Sequence, residues 1–215
     1  MLYLLFNGQV DYFIIILIAI VISLTFHEFG HALVAKLYGD RTAELAGRLT
    51  LNPVAHIDPA GLLMVMIVGF GYAKPVPTNP RHFTSRWGSP AVAFAGPGMN
   101  LLLAFITINV YAFGIDSGSD FFTGAGQRIF FESLAAINLL LMLFNLIPLG
   151  PLDGHYILAH FLPPKTSYQY LQWNERYGTM ILLSLIVLSI LGLPIFGVLM
   201  RIAGAMLSVI TFVAQ

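Results

Sequence analysis

Thr25-Phe26-His27-Glu28-Phe29-Gly30-His31-Ala32 decides how this chain reads. The stretch has the form H-E-x-x-H and sits inside an apolar run from about Val10 to Tyr38. On a helix, His27 and His31 lie one turn apart on one face, so both imidazoles can reach one zinc ion. Glu28 stands beside them and can take a proton from an attacking water. As incidental helix residues, two histidines and a glutamate would be costly in lipid unless paired or bound. A shared metal ion accounts for all three.

Working outward, composition agrees with a lipid setting. Hydrophobic residues make up 58% of the 215 and charged residues 9%. Soluble domains carry roughly 25% charged residues, so this chain cannot cover a water-facing surface in the usual way. One domain over 1–215 is expected at this length. The net charge of zero points to no nucleic-acid partner. With no cysteine, disulfides and a thiolate nucleophile are excluded. The first apolar run is too long for a signal-peptide core and has no basic leader.

Further apolar runs predict spans at about 90–113 and 134–149, after the first at 10–38. Residues 61–72 are short for a crossing and contain Gly61, Gly69 and Gly71, which suggests a re-entrant or shallow segment. A last stretch, 179–213, is broken at Gly192-Leu193-Pro194 and by Arg201. It reads as a span plus an interfacial helix, or as a tight hairpin. Between spans one and three, Ala46–Leu51 alternates weakly and ends at Asn52-Pro53, which reads as a short strand closed by a turn. The expected fold is an all-α multi-pass membrane protein. It has a three-helix catalytic core, additional C-terminal helices, and a short re-entrant or β-hairpin insert after the first span.

Six of the ten basic residues, Lys36, Arg41, Arg48, Lys74, Arg81 and Arg86, fall between the first span and the third. The positive-inside rule then places residues 39–88 and 154–177 in the cytoplasm and the N-terminus outside, in a cell membrane.

A catalytic zinc usually takes three protein ligands and keeps one open position. Asp58, Asp153, His56, His155 and His160 are candidates for the third. Asp153 stands out because it follows the fourth apolar run in Asn145-Leu146-Ile147-Pro148-Leu149-Gly150-Pro151-Leu152-Asp153-Gly154, where Pro148, Gly150 and Pro151 break the helix. The residues alone leave two readings of Asp153 open, a metal ligand or a cap for the next helix.

H-E-F-G-H in the first span, with N-L-I-P-L-G-P-L-D-G after a later one, resembles the site-2 protease family of intramembrane zinc metalloproteases. Leu51–Pro59, Gly71–Pro77 and Ala95–Asn100 match as well, so the resemblance runs from about Ile22 to His155. It implies one Zn²⁺ per chain held by His27, His31 and Asp153, with Glu28 as catalytic base. It also implies a core of three helices bearing H-E-x-x-H, G-P-x-x-N and L-D-G. No stretch reads as the PDZ or CBS domain that many members carry.

The expected activity is hydrolysis of peptide bonds within or next to transmembrane segments of other proteins. Asn145 is a candidate to hold the substrate backbone, while Asn100 reads as interhelical packing glue. Residues Arg48, Leu49, Thr50 and Leu51 are expected to form an edge strand that pairs with unwound substrate. Two rivals are a membrane zinc protease acting on juxtamembrane peptides and a catalytically silent scaffold for membrane helices.

Overall fold

A computed structural model describes residues 2–68 and 71–212. Every regular element among them is helical. The chain opens with α1 (Leu2–Phe6) and then the long α2 (Val10–Leu37). A Schellman closure ends α2: Gly39 takes φ +98°, its N–H donates to Lys36 O, and Asp40 N–H donates to Ala35 O. A second closure of the same kind ends α3 (Thr42–Leu45), with Gly47 at φ +69° and Arg48 N–H on Ala43 O.

That second closure corrects the strand expected at Ala46–Leu51. No strand forms among the described residues. The glycine that looked like part of an alternating pattern is the left-handed residue that stops a helix turn. Arg48, Leu49, Thr50 and Leu51 therefore offer no edge for substrate. Arg48 is instead buried, and its guanidinium donates to Pro75 O at 3.0 Å and to Lys74 O. His56 donates from Nε2 to Thr50 O at 2.8 Å, closing the same loop.

The short membrane segment is α4 (Pro59–Val68), begun by Asp58, whose carboxylate accepts from the Ala60 and Gly61 N–H groups. At 10 residues it is about 15 Å long, half a bilayer core. The chain then returns against the helix it left. Gly61 and Gly71 meet backbone to backbone, and a Cβ on either would strike the main chain opposite. The segment is a short helix with an extended return, and no β-hairpin forms among the described residues. Gly69 lies outside the described residues.

Two more long helices follow, α5 (Gly88–Asp116) and α6 (Ala125–Asn145). The α6 helix starts nine residues before the predicted 134. Its first turns carry Gln127, Arg128 and Glu132, which are helical but not apolar, and Arg128 pairs with Glu132 one turn on. With α2, these are, among the described residues, the three single helices long and apolar enough to cross a membrane, and a bent pair over Pro164–Ile210 would make a fourth span. The three pack on one another as a core. Lipid offers no hydrophobic gain for helix pairing, so close contact must come from small and polar residues. Ala19, Ala32, Ala35, Ala104 and Ala135 are accordingly fully buried, whereas Ile14, Ile18, Phe94 and Leu102 lie exposed on the outer faces.

After the Leu146–Asp153 loop come α7 (Gly154–Phe161) and α8 (Pro164–Trp173). A π turn at Asn174–Gly178 continues into α9 (Thr179–Ile190). The chain bends by 86° before α10 (Ile195–Ile210), at a break where Gly192 takes φ +111°. Ala203 of α10 packs on Ala104 and Leu139 of the core. The 179–213 stretch is thus two helices nearly at right angles, with Val213 outside the described residues.

Candidate metal centre

His27 and His31 face α5 from one side of α2, and the helices touch there because glycine stands on both. A Cβ on Gly30 would lie 2.7 Å from Ala95 O. A Cβ on Gly96 would lie 2.6 Å from His27 Cε1 and Nε2, and closer still to His31 Nε2. Glycine at 96 leaves the space in front of both imidazoles open.

Each ring has its Nδ1 engaged and its Nε2 free to act. His31 Nδ1 lies 2.7 Å from Val92 O, which can only accept, so Nδ1 carries the proton. His27 Nδ1 lies 2.7 Å from Asn100 Oδ1. The two Nε2 atoms are 3.0 Å apart, and Asp153 Oδ2 lies 3.3 Å from one and 3.4 Å from the other. With both Nδ1 protonated, three lone pairs converge with no proton between them. Asp153 Oδ2 is buried and lacks a hydrogen-bond donor, although nitrogens stand next to it. Such a cluster calls for a cation. Tetrahedral zinc with bonds of about 2.0–2.1 Å places its ligands about 3.3 Å apart, matching these separations. The donor set of two neutral imidazoles and a carboxylate suits that ion.

The Leu146–Asp153 loop brings the aspartate here from beyond α6. Tyr170 Oη donates to Pro148 O at 2.6 Å, and Gly150 N–H donates to Asn174 Oδ1 at 2.6 Å. Gly154, packed on Leu146 O and Ile147 O, leaves the turn no room for a side chain. Glu28 is buried on the same face of the site, and the Val76 N–H donates to its Oε2 at 3.1 Å. All four residues, with Asn145, line a cavity of about 970 Å³ whose outer wall includes Leu182 and Ile186 of α9.

The structure thus brings His27, His31, Asp153 and Glu28 together. The other candidate ligands lie apart from the cluster in their own contacts. Asp58 caps α4, His56 bonds Thr50, His155 bonds Leu152 O, and His160 lies tilted against Trp87 with ring centroids 4.3 Å apart. Asn100 is more than packing glue, because it touches a candidate ligand directly. Asn138 and Ser23, which hold Asn100, drew no notice in the sequence. Their signal was a polar residue inside an apolar run.

Comparison with known proteins gives the family. The family model described as peptidase family M50 matches residues 15–129. "Putative zinc metalloprotease YwhC" of Bacillus subtilis (strain 168) is 42% identical over 177 residues, 80% of each chain. "Putative zinc metalloprotease Rip2" of Mycolicibacterium smegmatis (strain ATCC 700084 / mc(2)155) is 30% identical over 84% of this chain and 69% of its own. "Zinc metalloprotease MJ0392" of Methanocaldococcus jannaschii (strain ATCC 43067 / DSM 2661 / JAL-1 / JCM 10045 / NBRC 100440) is 25% identical over 72% of this chain and 36% of its own. No solved structure matches significantly. With the model covering over half of the chain and YwhC most of it, the chain belongs to peptidase family M50, the site-2 protease family of zinc metalloproteases.

Proposed function

We propose that this chain is an intramembrane endopeptidase in which His27, His31 and Asp153 hold one Zn²⁺ and Glu28 is the catalytic base. The observation that carries the reading is the convergence of three ligand atoms of His27, His31 and Asp153 with the Glu28 carboxylate on the wall of a largely apolar cavity. When bound, zinc activates water and polarises the scissile carbonyl. Glu28 takes the proton as water oxygen attacks the carbonyl carbon, and delivers a proton to the departing amine as the C–N bond breaks. The products are a new carboxylate and a new amine. The substrate is a transmembrane segment of another protein. A helix hides its carbonyls, so the segment unwinds locally to reach the site, aided by its own Gly or Pro. Asn145, at the cavity wall, is the residue placed to bond the unwound backbone.

The arrangement also supports a topology. His31 lies six residues before the end of α2, about 9 Å in from that end. The end of α2, the start of α5 and the end of α6 form one face of the core. That face is cytoplasmic by the placement of Lys36, Arg41, Lys74, Arg81 and Arg86, so cleavage occurs near the cytoplasmic leaflet.

The test is mass spectrometry of membrane proteins co-reconstituted with wild-type chain or with Glu28→Gln. New termini inside or beside transmembrane segments, present only with the wild type, are expected. New termini confined to soluble loops would replace this reading with juxtamembrane proteolysis. No new termini, with membrane helices captured equally by both forms, would point to a scaffold.

A further inference from the structure

Three helices share a polar ladder that ends on His27. Asn138 of α6 is fully buried and donates to Leu134 O at 2.8 Å and to Ser23 Oγ at 2.8 Å. Leu134 O can only accept, so the Asn138 NH₂ must face it, and Oδ1 must face Asn100. Asn100, also fully buried, then presents its NH₂ to Asn138 Oδ1 at 2.7 Å and to Ser23 O at 3.1 Å. Ser23 O is a second pure acceptor, so the two constraints agree. Asn100 Oδ1 is left facing His27 Nδ1, and the imidazole must donate. Nε2 is thereby bare and aimed at His31 and Asp153.

We infer that Asn100 is a positioning residue that selects the His27 tautomer, and that Asn138 and Ser23 fix the sense of its amide. This rests on the proposed metal reading. The ladder is not packing alone: rotating the Asn100 amide by half a turn would keep its volume and α2–α5–α6 contact. It would also set an N–H against Nδ1, force the proton onto Nε2 and spoil the ligand. Groups that orient a metal-binding histidine typically govern metal affinity by about 10–100-fold.

The experiment uses the full chain in detergent. Zinc affinity is measured by chelator competition and stability by thermal melting, for wild type, Asn100→Leu, Asn100→Asp and Asn138→Leu. Asn100→Leu should weaken zinc binding about 10–100-fold. Asn100→Asp keeps an acceptor for His27 Nδ1 and, with its second oxygen protonated, a donor for Ser23 O, so it should recover most of the affinity. Asn138→Leu breaks two helix-joining bonds, to Asn100 and Ser23, and one within α6, but leaves the acceptor on Asn100. It should melt well below wild type while binding zinc far better than Asn100→Leu does. Affinity falling in step with melting temperature across the series would make the ladder merely structural and overturn the inference. Nitrogen-15 NMR of the chelator-stripped protein reads the tautomer without metal. Wild-type His27 should carry its proton on Nδ1 and Asn100→Leu should not; a proton on Nε2 in the wild type would also overturn the inference. Wild type that binds no zinc but shows the Nδ1 proton would reject the metal reading and leave the tautomer assignment standing.

Discussion

The backbone N–H of Val76 donates to Glu28 Oε2 at 3.1 Å, so a non-helical strap lies directly over the proposed base. The strap is fixed on its far side by the buried Arg48, which binds the carbonyls of Lys74 and Pro75, and by Lys74 N–H on His56 O at 2.8 Å. With Pro75 and Pro77 flanking it, Val76 supplies the donor that neither neighbour can.

Val76→Pro should therefore slow cleavage without removing zinc. The substitution deletes the single N–H that orients Glu28, and a misplacement of about 1 Å at a reacting group can cost on the order of 10²-fold. Val76→Ala keeps the N–H and should lose far less. Single-turnover cleavage with parallel zinc analysis checks this. Equal rates for the alanine and proline variants would show that the bond does not hold the base.

Gly96→Ala should abolish zinc binding. Its new methyl group would sit within 2.6 Å of His27 Nε2 and nearer to His31 Nε2, where the ion must lie. Gly98→Ala, two residues on, meets only Phe94 at 3.4 Å and should retain about one zinc per chain. Metal content of the two purified variants decides the matter. Zinc in Gly96→Ala would mean that the histidines do not bind it from this face.

Much of this was legible in the sequence, and the remainder was hidden for physical reasons. H-E-x-x-H fixes its own geometry, because residues four apart on a helix must share a face. Asp153 was visible as an acid delivered by a broken helix and through the family resemblance, and the fold sets it apart from Asp58, which caps α4. The strand at Ala46–Leu51 was misread because alternation over six residues cannot distinguish a strand from a helix turn closed by Gly47. Asn138 carried a signal without a partner. It lies 38 residues from Asn100 and 115 from Ser23, and a single sequence does not pair them.

Acid should loosen the strap from its base at Asp40. This carboxylate is fully buried at the end of α2, where burial alone would raise its pKa. Bonds from the Thr42 hydroxyl, the Asn79 and Thr42 N–H groups and His82 outweigh burial and bring it down to about 2. A depressed folded-state value stabilises the protein above the unfolded pKa of about 3.9, and that contribution disappears as pH falls toward 2. Melting curves from pH 6 to pH 2 should show wild type losing more stability below pH 4 than Asp40→Asn does. Above pH 5, Asp40→Asn should be the less stable by about 1–3 kcal/mol, since its NH₂ faces donors. Parallel pH profiles would remove Asp40 from this role.

The loop that presents Asp153 depends on a residue 21 positions beyond it. Asn174, buried within the π turn, accepts from Gly150 N–H at 2.6 Å and donates to Tyr170 O at 3.0 Å. Gly178 packs on Gly150 O one turn later, and Tyr170 Oη holds Pro148 O. The widened helix turn thus brings two contacts, and α8 a third, onto a loop that has no regular structure of its own; π turns recur at functional sites. Asn174→Leu fills a similar volume but leaves the Gly150 N–H buried without an acceptor, which costs about 1–3 kcal/mol. Because that cost falls on the Asp153 loop, zinc should dissociate faster while the packed core of α2, α5 and α6 keeps His27 and His31 in place. Limited proteolysis should then show new cleavage between Leu146 and Asp153, and adding zinc should suppress it. If Asn174→Leu instead releases zinc at the wild-type rate with the loop still protected, the Asn174 bond does not brace the aspartate. The loop would then be held by the Tyr170 and Gly178 contacts alone.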